Sequence, residues 1–187
     1  MISGKPKTKT TLASNLLGYR SLKMIYTSPK NQSLILDFDF TLCDSSVREN
    51  KHTSNDVLDL PAYRLDTAQH DKALPLLRWL LRNRRALMDK YCEILVLTNR
   101  DFFAPCQSPI KALVQNRFLC FHRGIYAPIY GDNFKAILLH NMTKVKSAVV
   151  IDDEQKYLQI AVQNNCRAID AKKLWHYKDG DFNNLLL

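Results

Sequence analysis

Three short apolar runs, each stopping abruptly at polar residues, constrain this 187-residue chain more than any other feature. The first is Ser33-Leu-Ile-Leu-Asp-Phe-Asp-Phe-Thr-Leu42, where Leu34 to Leu36 reads as a buried strand that ends at Asp37 and Asp39. The second, Glu93-Ile-Leu-Val-Leu-Thr-Asn-Arg100, ends at Thr98, Asn99 and Arg100. The third, Ser147-Ala-Val-Val-Ile-Asp-Asp-Glu154, ends at Asp152 and Asp153. Unbroken apolar character belongs to strands covered on both faces, as in parallel sheets. Such sheets bind ligands beyond the carboxyl ends of their strands, at a topological switch point. The pattern predicts a mainly parallel α/β sheet with its polar tips gathered along one edge.

Asp37 and Asp39 lie two residues apart at a strand end. Two carboxylates so close repel each other unless a positive charge sits between them. A divalent cation with oxygen ligands, Mg²⁺ above all, answers that need. The competing reading is that both aspartates merely end a strand and open a turn, which aspartate does often. Thr41 adds a hydroxyl at the start of the following loop. The two other polar strand ends favour a shared site over a simple turn.

Asp37-Phe-Asp-Phe-Thr41, then Thr98, then a lysine, then Asp152-Asp153 resemble the four ordered motifs of the haloacid dehalogenase-like (HAD) phosphohydrolases. The resemblance runs from about Ser33 to Ala171, with Phe40 where many members carry glycine. It implies a three-layer Rossmann-like core with a central, mainly parallel sheet. It also implies a nucleophile at Asp37, a general acid/base at Asp39, and phosphate contacts from Thr98, Asn99 and a lysine. Asp37, the main-chain carbonyl of Asp39, Asp152 and Asp153 would serve the Mg²⁺. The lysine is expected to be Lys135, in the first turn of a helix opened by Asp132 or Asn133. The helix dipole disfavours a cation there unless an anion lies close by. Lys144 and Lys146 stand too near the third strand to share that position.

Retention of aspartate at position 39 favours hydrolysis, since that carboxyl can protonate a leaving oxygen and then activate water. No large cap domain is expected between the motifs, so the site should be open. A polar stretch from Cys43 to His70 is read as a long loop arching over it, as long loops in compact domains are often functional. Tyr63 and Arg64 on that loop, with Thr41 and Arg100, are possible substrate contacts; ordinary surface packing is the other reading of the loop pair.

The net charge of +9 and pI of about 9.4 favour a polyanionic partner, against the plainer reading of a solubilising surface. An open site and a basic surface together point to a phosphorylated nucleic-acid end or a nucleotide. The motif layout is similar to that of the 3′-phosphatase domains of polynucleotide kinase-phosphatases. No kinase P-loop pattern occurs. A phosphoprotein phosphatase and a small-metabolite phosphatase are the alternatives; a non-enzymatic binding module would be expected to have lost a catalytic carboxylate.

Residues 1–32 hold six basic residues and no acidic one, and are read as a basic extension preceding a phosphatase-like domain of residues 33–187. A short strand is expected at Leu22 to Tyr26. The extension lacks the apolar core of a secretory signal, so a cytoplasmic location is expected, with organelle targeting as the alternative. No apolar run approaches the ~20 residues of a membrane span. Five scattered cysteines show no metal-ligand spacing and fit a reducing compartment.

Asp71 to Tyr91 reads as one amphipathic helix capped by Asp71. Leu74, Leu77, Leu81 and Met88 would be inside, and Arg78, Arg82, Arg85 and Lys90 outside. Further helices are expected at Pro109 to Phe118 and Gln155 to Asn164, and a strand at Arg167 to Ile169. Trp175, His176 and Tyr177 carry no interpretable pattern.

Overall fold

The strand β1 (Gln32–Leu36) is covered on both faces because its side chains alternate between two apolar layers. Leu34 and Leu36 join one core cluster, with Leu76, Leu77, Trp79, Val96, Val149 and Ile151. Ile35 joins the other, with Leu95, Leu97, Phe134, Leu139, Val150 and Tyr157. Full burial of side chains of this size contributes about 1.5–3 kcal/mol each. The computed structural model describes residues 31–66, 70–103 and 108–187, without the side chains of Arg64 and Leu65. The expected strand at Leu22 to Tyr26 and the basic extension lie almost wholly outside the described residues.

After β1 the chain forms a small insertion: β2 (Cys43–Asp44), α1 (Ser46–His52), β3 (Thr53–Ser54), β4 (Val57–Leu58), α2 (Leu60–Leu65) and β5 (Lys72–Ala73). It continues through α3 (Pro75–Arg82), α4 (Arg84–Lys90), β6 (Glu93–Thr98), α5 (Pro109–Arg117), β7 (Leu119–His122), α6 (Arg123–Tyr130) and α7 (Phe134–Val145). It ends with β8 (Ser147–Asp152), α8 (Gln155–Gln163), β9 (Arg167–Asp170), a 3₁₀ turn at Ala171–Leu174, and α9 (Asp179–Leu186). The main sheet has the order β7-β6-β1-β8-β9, and every neighbouring pair is parallel. β1 is central, between β6 and β8, with Leu36 opposite Val96 on one side and Ile151 on the other. The chain goes to one side of β1 and then crosses to the other. The crevice above β1 is therefore the switch point.

Two expectations need correction. Cys43 to His70 is not one long loop. It folds into two short helices and the β3–β4 hairpin, and β2 pairs antiparallel with β5. Two-residue strands and short helices fall below the length at which periodicity is legible. Nor is Asp71 to Tyr91 one helix. Leu74 is extended (ψ 161°), as the residue before proline tends to be, so α3 starts at Pro75. The helix then breaks at Asn83, whose Nδ2 donates to the Trp79 carbonyl at 3.0 Å and competes with the helical pattern. The break resets the helical phase, so Leu87 is fully buried and Met88 is 42% exposed.

Asp71 caps nothing; it is buried in ion pairs with two arginines. Asn133 occupies the N-cap position of α7 without a side-chain cap bond, and Asp132 pairs instead with Arg123. The uninterpreted tail packs back on the core. Phe182 and Leu186 of α9 are buried, and Trp79 Nε1 donates to Asn183 Oδ1 at 3.0 Å. Part of the basic face also serves the tail: Arg82 pairs with Asp179 and Lys90 donates to the Leu187 carbonyl. Among the described residues, no helix is long and apolar enough to cross a membrane.

Candidate functional site

The carboxyl ends of β1, β6 and β8 deliver Asp37, Thr98 and Asp152 side by side. Asp37 immediately follows β1, and its N–H donates to the Ile151 carbonyl at 2.9 Å, fixing the strand tip against β8. Thr98 and Asp152 are the last residues of their strands. Lys135, in the first turn of α7, completes the centre. Its Nζ lies 2.7 Å from Asp37 Oδ1 and 2.8 Å from Asp152 Oδ2, and 4.0 Å over the Tyr157 ring. All three charged side chains are buried.

One lysine faces three carboxylates here, because oxygens of Asp37, Asp152 and Asp153 lie within 4.8 Å of one another. Burial, opposed by Lys135 but reinforced by Asp152 and Asp39, holds the Asp37 carboxyl well above its ordinary range. Burial likewise raises Asp152, against the pull of Lys135. Asp153, beside Asp152, is pushed up to about 6 by burial and by that neighbour, despite Lys172 at 3.7 Å. Burial alone would depress Lys135; Asp37 and Asp152 overcome it and raise it. The unbalanced charge amounts to roughly two negatives, and all the donors are hard oxygens, which is what a small dication requires. The residues therefore fit Mg²⁺.

Asp39 belongs to a different network. Ser45 Oγ donates to its Oδ1 at 2.6 Å, Arg48 Nη2 donates to the same oxygen at 2.8 Å, and Arg100 Nη2 forms a further close contact. Arg100 Nε reaches Oδ2 at 3.3 Å. Asp71 anchors both arginines from behind, at 3.4 Å from Arg48 and 2.8 Å from Arg100. Burial would raise the Asp39 carboxyl, but Arg100 and Arg48 outweigh it and hold it below its ordinary range. Its carboxylate is thus committed to arginine rather than to the three-carboxylate group.

The remaining candidates divide. Thr98 and Asn99 line the cleft with Asp37, Lys135 and Asp153, and Asn99 Nδ2 donates to Tyr157 OH at 2.9 Å. Tyr63 also lines it, held by Arg48, whose guanidinium stacks 3.8 Å from the ring centroid and donates to the phenol oxygen at 3.0 Å. The Arg64 side chain lies outside the described residues. Thr41 is buried, and its hydroxyl finds no hydrogen-bond partner among the described residues. Arg100 borders the cleft but is only 3% exposed and is turned onto Asp39 and Asp71. His122 and Arg123, which the aromatic-rich stretch after the second strand also offers as candidates to face the site, do not line the cleft; His122 packs between Phe102 and Phe103. The cleft has a volume of about 390 Å³.

Arg48, Asp71 and Tyr157 were not legible as site residues. Arg48 lies in a helix too short to show a face, and Asp71 has the local signature of a cap. Tyr157 had one usable signal: the aspartate pair is followed by a helix whose first turn must face the site.

No family model matches the sequence, and no curated protein matches it. Solved structures do. A haloacid dehalogenase-like family hydrolase from Streptococcus pneumoniae superposes with a TM-score of 0.53 at 13% identity, covering 84% of this chain and 99% of the other. The HAD domain of the effector protein Lem4 from Legionella pneumophila superposes with a TM-score of 0.50 at 15% identity, covering 84% of this chain and 94% of that one. The chain thus shares the Rossmann-type α/β fold of HAD-like proteins.

Proposed function

We propose that this chain is a Mg²⁺-dependent phosphomonoesterase that works through an aspartyl-phosphate on Asp37. Its substrate is a phosphorylated nucleic-acid end, such as a 3′-phosphate, or a nucleotide. The observation that carries the reading is the Asp37–Lys135–Asp152 contact at the switch point above β1, with Thr98 on the neighbouring strand end. Such a centre supplies an attacking carboxylate, a fixed cation and a hydroxyl for the transferring phosphoryl oxygens. The hydrolase named among the structural neighbours adds support at the level of reaction class.

Asp37, Asp152 and Asp153, with the Asp39 carbonyl, would hold the ion. When bound, it neutralises phosphate charge that would otherwise repel the nucleophile. An Asp37 carboxylate oxygen attacks phosphorus, and the bond from phosphorus to the leaving oxygen breaks. The leaving oxygen takes a proton from the Asp39 carboxyl. In the second half, water attacks phosphorus, its proton passes to Asp39, inorganic phosphate leaves and the Asp37 carboxylate is restored. Asp39 is poised as a carboxylate by Arg48 and Arg100, which suits the second half. In the first half it must loosen those contacts to carry a proton.

The test offers purified protein with Mg²⁺ a 3′-phosphorylated oligonucleotide, a 5′-phosphorylated one, mononucleotides and a phosphopeptide. Phosphate release from the oligonucleotide ends or nucleotides, abolished by Asp37→Asn and by chelation, is expected. Release from the phosphopeptide alone would overturn the substrate class. Full turnover by Asp37→Asn would overturn the mechanism.

A further inference from the structure

Phe40 stands between Asp39 and Thr41 with φ of 56°, in the left-handed region. A bulky side chain there is a conformational outlier, and it persists only where its surroundings over-determine it. Within its own turn, the Phe40 N–H donates to the Cys43 carbonyl at 2.7 Å. Two further restraints come from the far end of the chain. Trp175 Nε1 donates to the Phe40 carbonyl at 2.9 Å, and the two rings stack with centroids 6.4 Å apart and an interplanar angle of 27°.

The turn so held is the one that carries Asp37 and Asp39. The N–H groups of Leu42 and Cys43 both close onto the Phe38 carbonyl, at 2.9 and 3.0 Å. Phe40 itself lines the cleft. A relaxation of Phe40 to negative φ would rotate the peptide planes on either side of it. Asp39 would then lose its fixed relation to Asp37.

We propose that Trp175 is a positioning residue for the nucleophile turn, acting through Phe40. The contact does for this chain what a glycine at position 40 would do by itself, since glycine takes positive φ without a steric penalty. Trp175 is 36% exposed, so it contributes little to the core. The tail around it is held separately, by Trp79 to Asn183 and by the Tyr177–Phe182 ring contact. The clamp is therefore separable from the fold. Its kinetic consequence rests on the phosphatase reading; its structural consequence does not.

The experiment compares wild-type, Trp175→Ala, Trp175→Phe, Phe40→Gly and the Phe40→Gly/Trp175→Ala double variant. Trp175→Ala is expected to lower kcat about tenfold, with KM within about twofold, because Thr98 and Lys135 lie outside the turn. Trp175→Phe, which keeps a ring but loses the N–H, should fall between. In the Phe40→Gly background, Trp175→Ala should cost less than about twofold, since the strain it restrains is gone. An equal loss in both backgrounds, or no loss in either, overturns the proposal. Amide exchange at Phe40, Leu42 and Cys43 should quicken in Trp175→Ala while amides of α9 do not change. Unchanged exchange in the turn overturns the proposal even if activity falls. Faster exchange in a protein whose wild-type hydrolyses no phosphomonoester supports the clamp and defeats the phosphatase reading.

Discussion

At the scale of single residues, Lys135 has the most exacting position. It is buried between Asp37 and Asp152, and each of the three is intelligible only with the others. Lys135→Met would leave two buried carboxylates facing each other without a cation. Removing one partner of a buried ion pair costs about 3–5 kcal/mol. A divalent ion should restore part of that loss, so the Mg²⁺-induced rise in Tm is expected to be larger in Lys135→Met than in wild-type. Thermal unfolding of both proteins with and without Mg²⁺ checks this. Phosphate release by the variant should fall about 10²–10³-fold, the scale for losing one fixed charge-stabilising group.

At this scale the sequence was informative wherever a polar residue interrupts an apolar run. Asp37, Thr98, Asp152 and Asp153 announce themselves in that way, and Lys135 by its awkward place at a helix start. Arg48 and Asp71 do not, because their partners are set by the folding of the insertion rather than by local spacing.

Among elements, the turn after β6 and the start of α6 are joined through His122. Its Nδ1 accepts the Phe102 N–H at 3.2 Å, and its ring stacks on Phe102 with centroids 5.2 Å apart. Burial depresses its pKa below the ordinary 6.5, with Lys111 adding to the effect and Asp101 opposing it. The folded protein therefore binds a proton here less readily than the unfolded chain does. The stability this confers is complete above about 6.5 and is lost as pH falls through the lower folded value. Chemical unfolding of wild-type and His122→Gln at pH 7.5 and 5 should show the larger acid loss in wild-type. The expected helix start at Pro109 agrees with α5, where Ser108 Oγ accepts the Lys111 N–H, a bond the sequence expectations did not include. The helix boundary was illegible at Asn83, where a side chain competes with the helix from within it.

For the molecule as a whole, the parallel sheet and its switch point follow from three apolar runs and the helical stretches between them. The insertion does not, since its order draws on ion pairs distant in sequence, Arg48 with Asp71 and Arg100 with Asp71. The +9 charge bears on the substrate proposal. Contacts to a few backbone phosphates should raise KM for a phosphorylated oligonucleotide about tenfold between roughly 50 and 200 mM salt. The KM for a mononucleotide should move much less. Steady-state kinetics at several salt concentrations separate the two; equal sensitivity would argue against backbone contacts.

The placement of β1 between β6 and β8 has a consequence during synthesis. The earliest of the five sheet strands to leave the ribosome has both of its hydrogen-bonding edges reserved for segments that emerge much later, the second from Ser147 onward. Leu34 to Leu36 has neither partner until β6 emerges and lacks one until β8 does, a condition that invites wrong pairing with other chains. A nascent or prematurely ended product should therefore depend on chaperones until β8 is available.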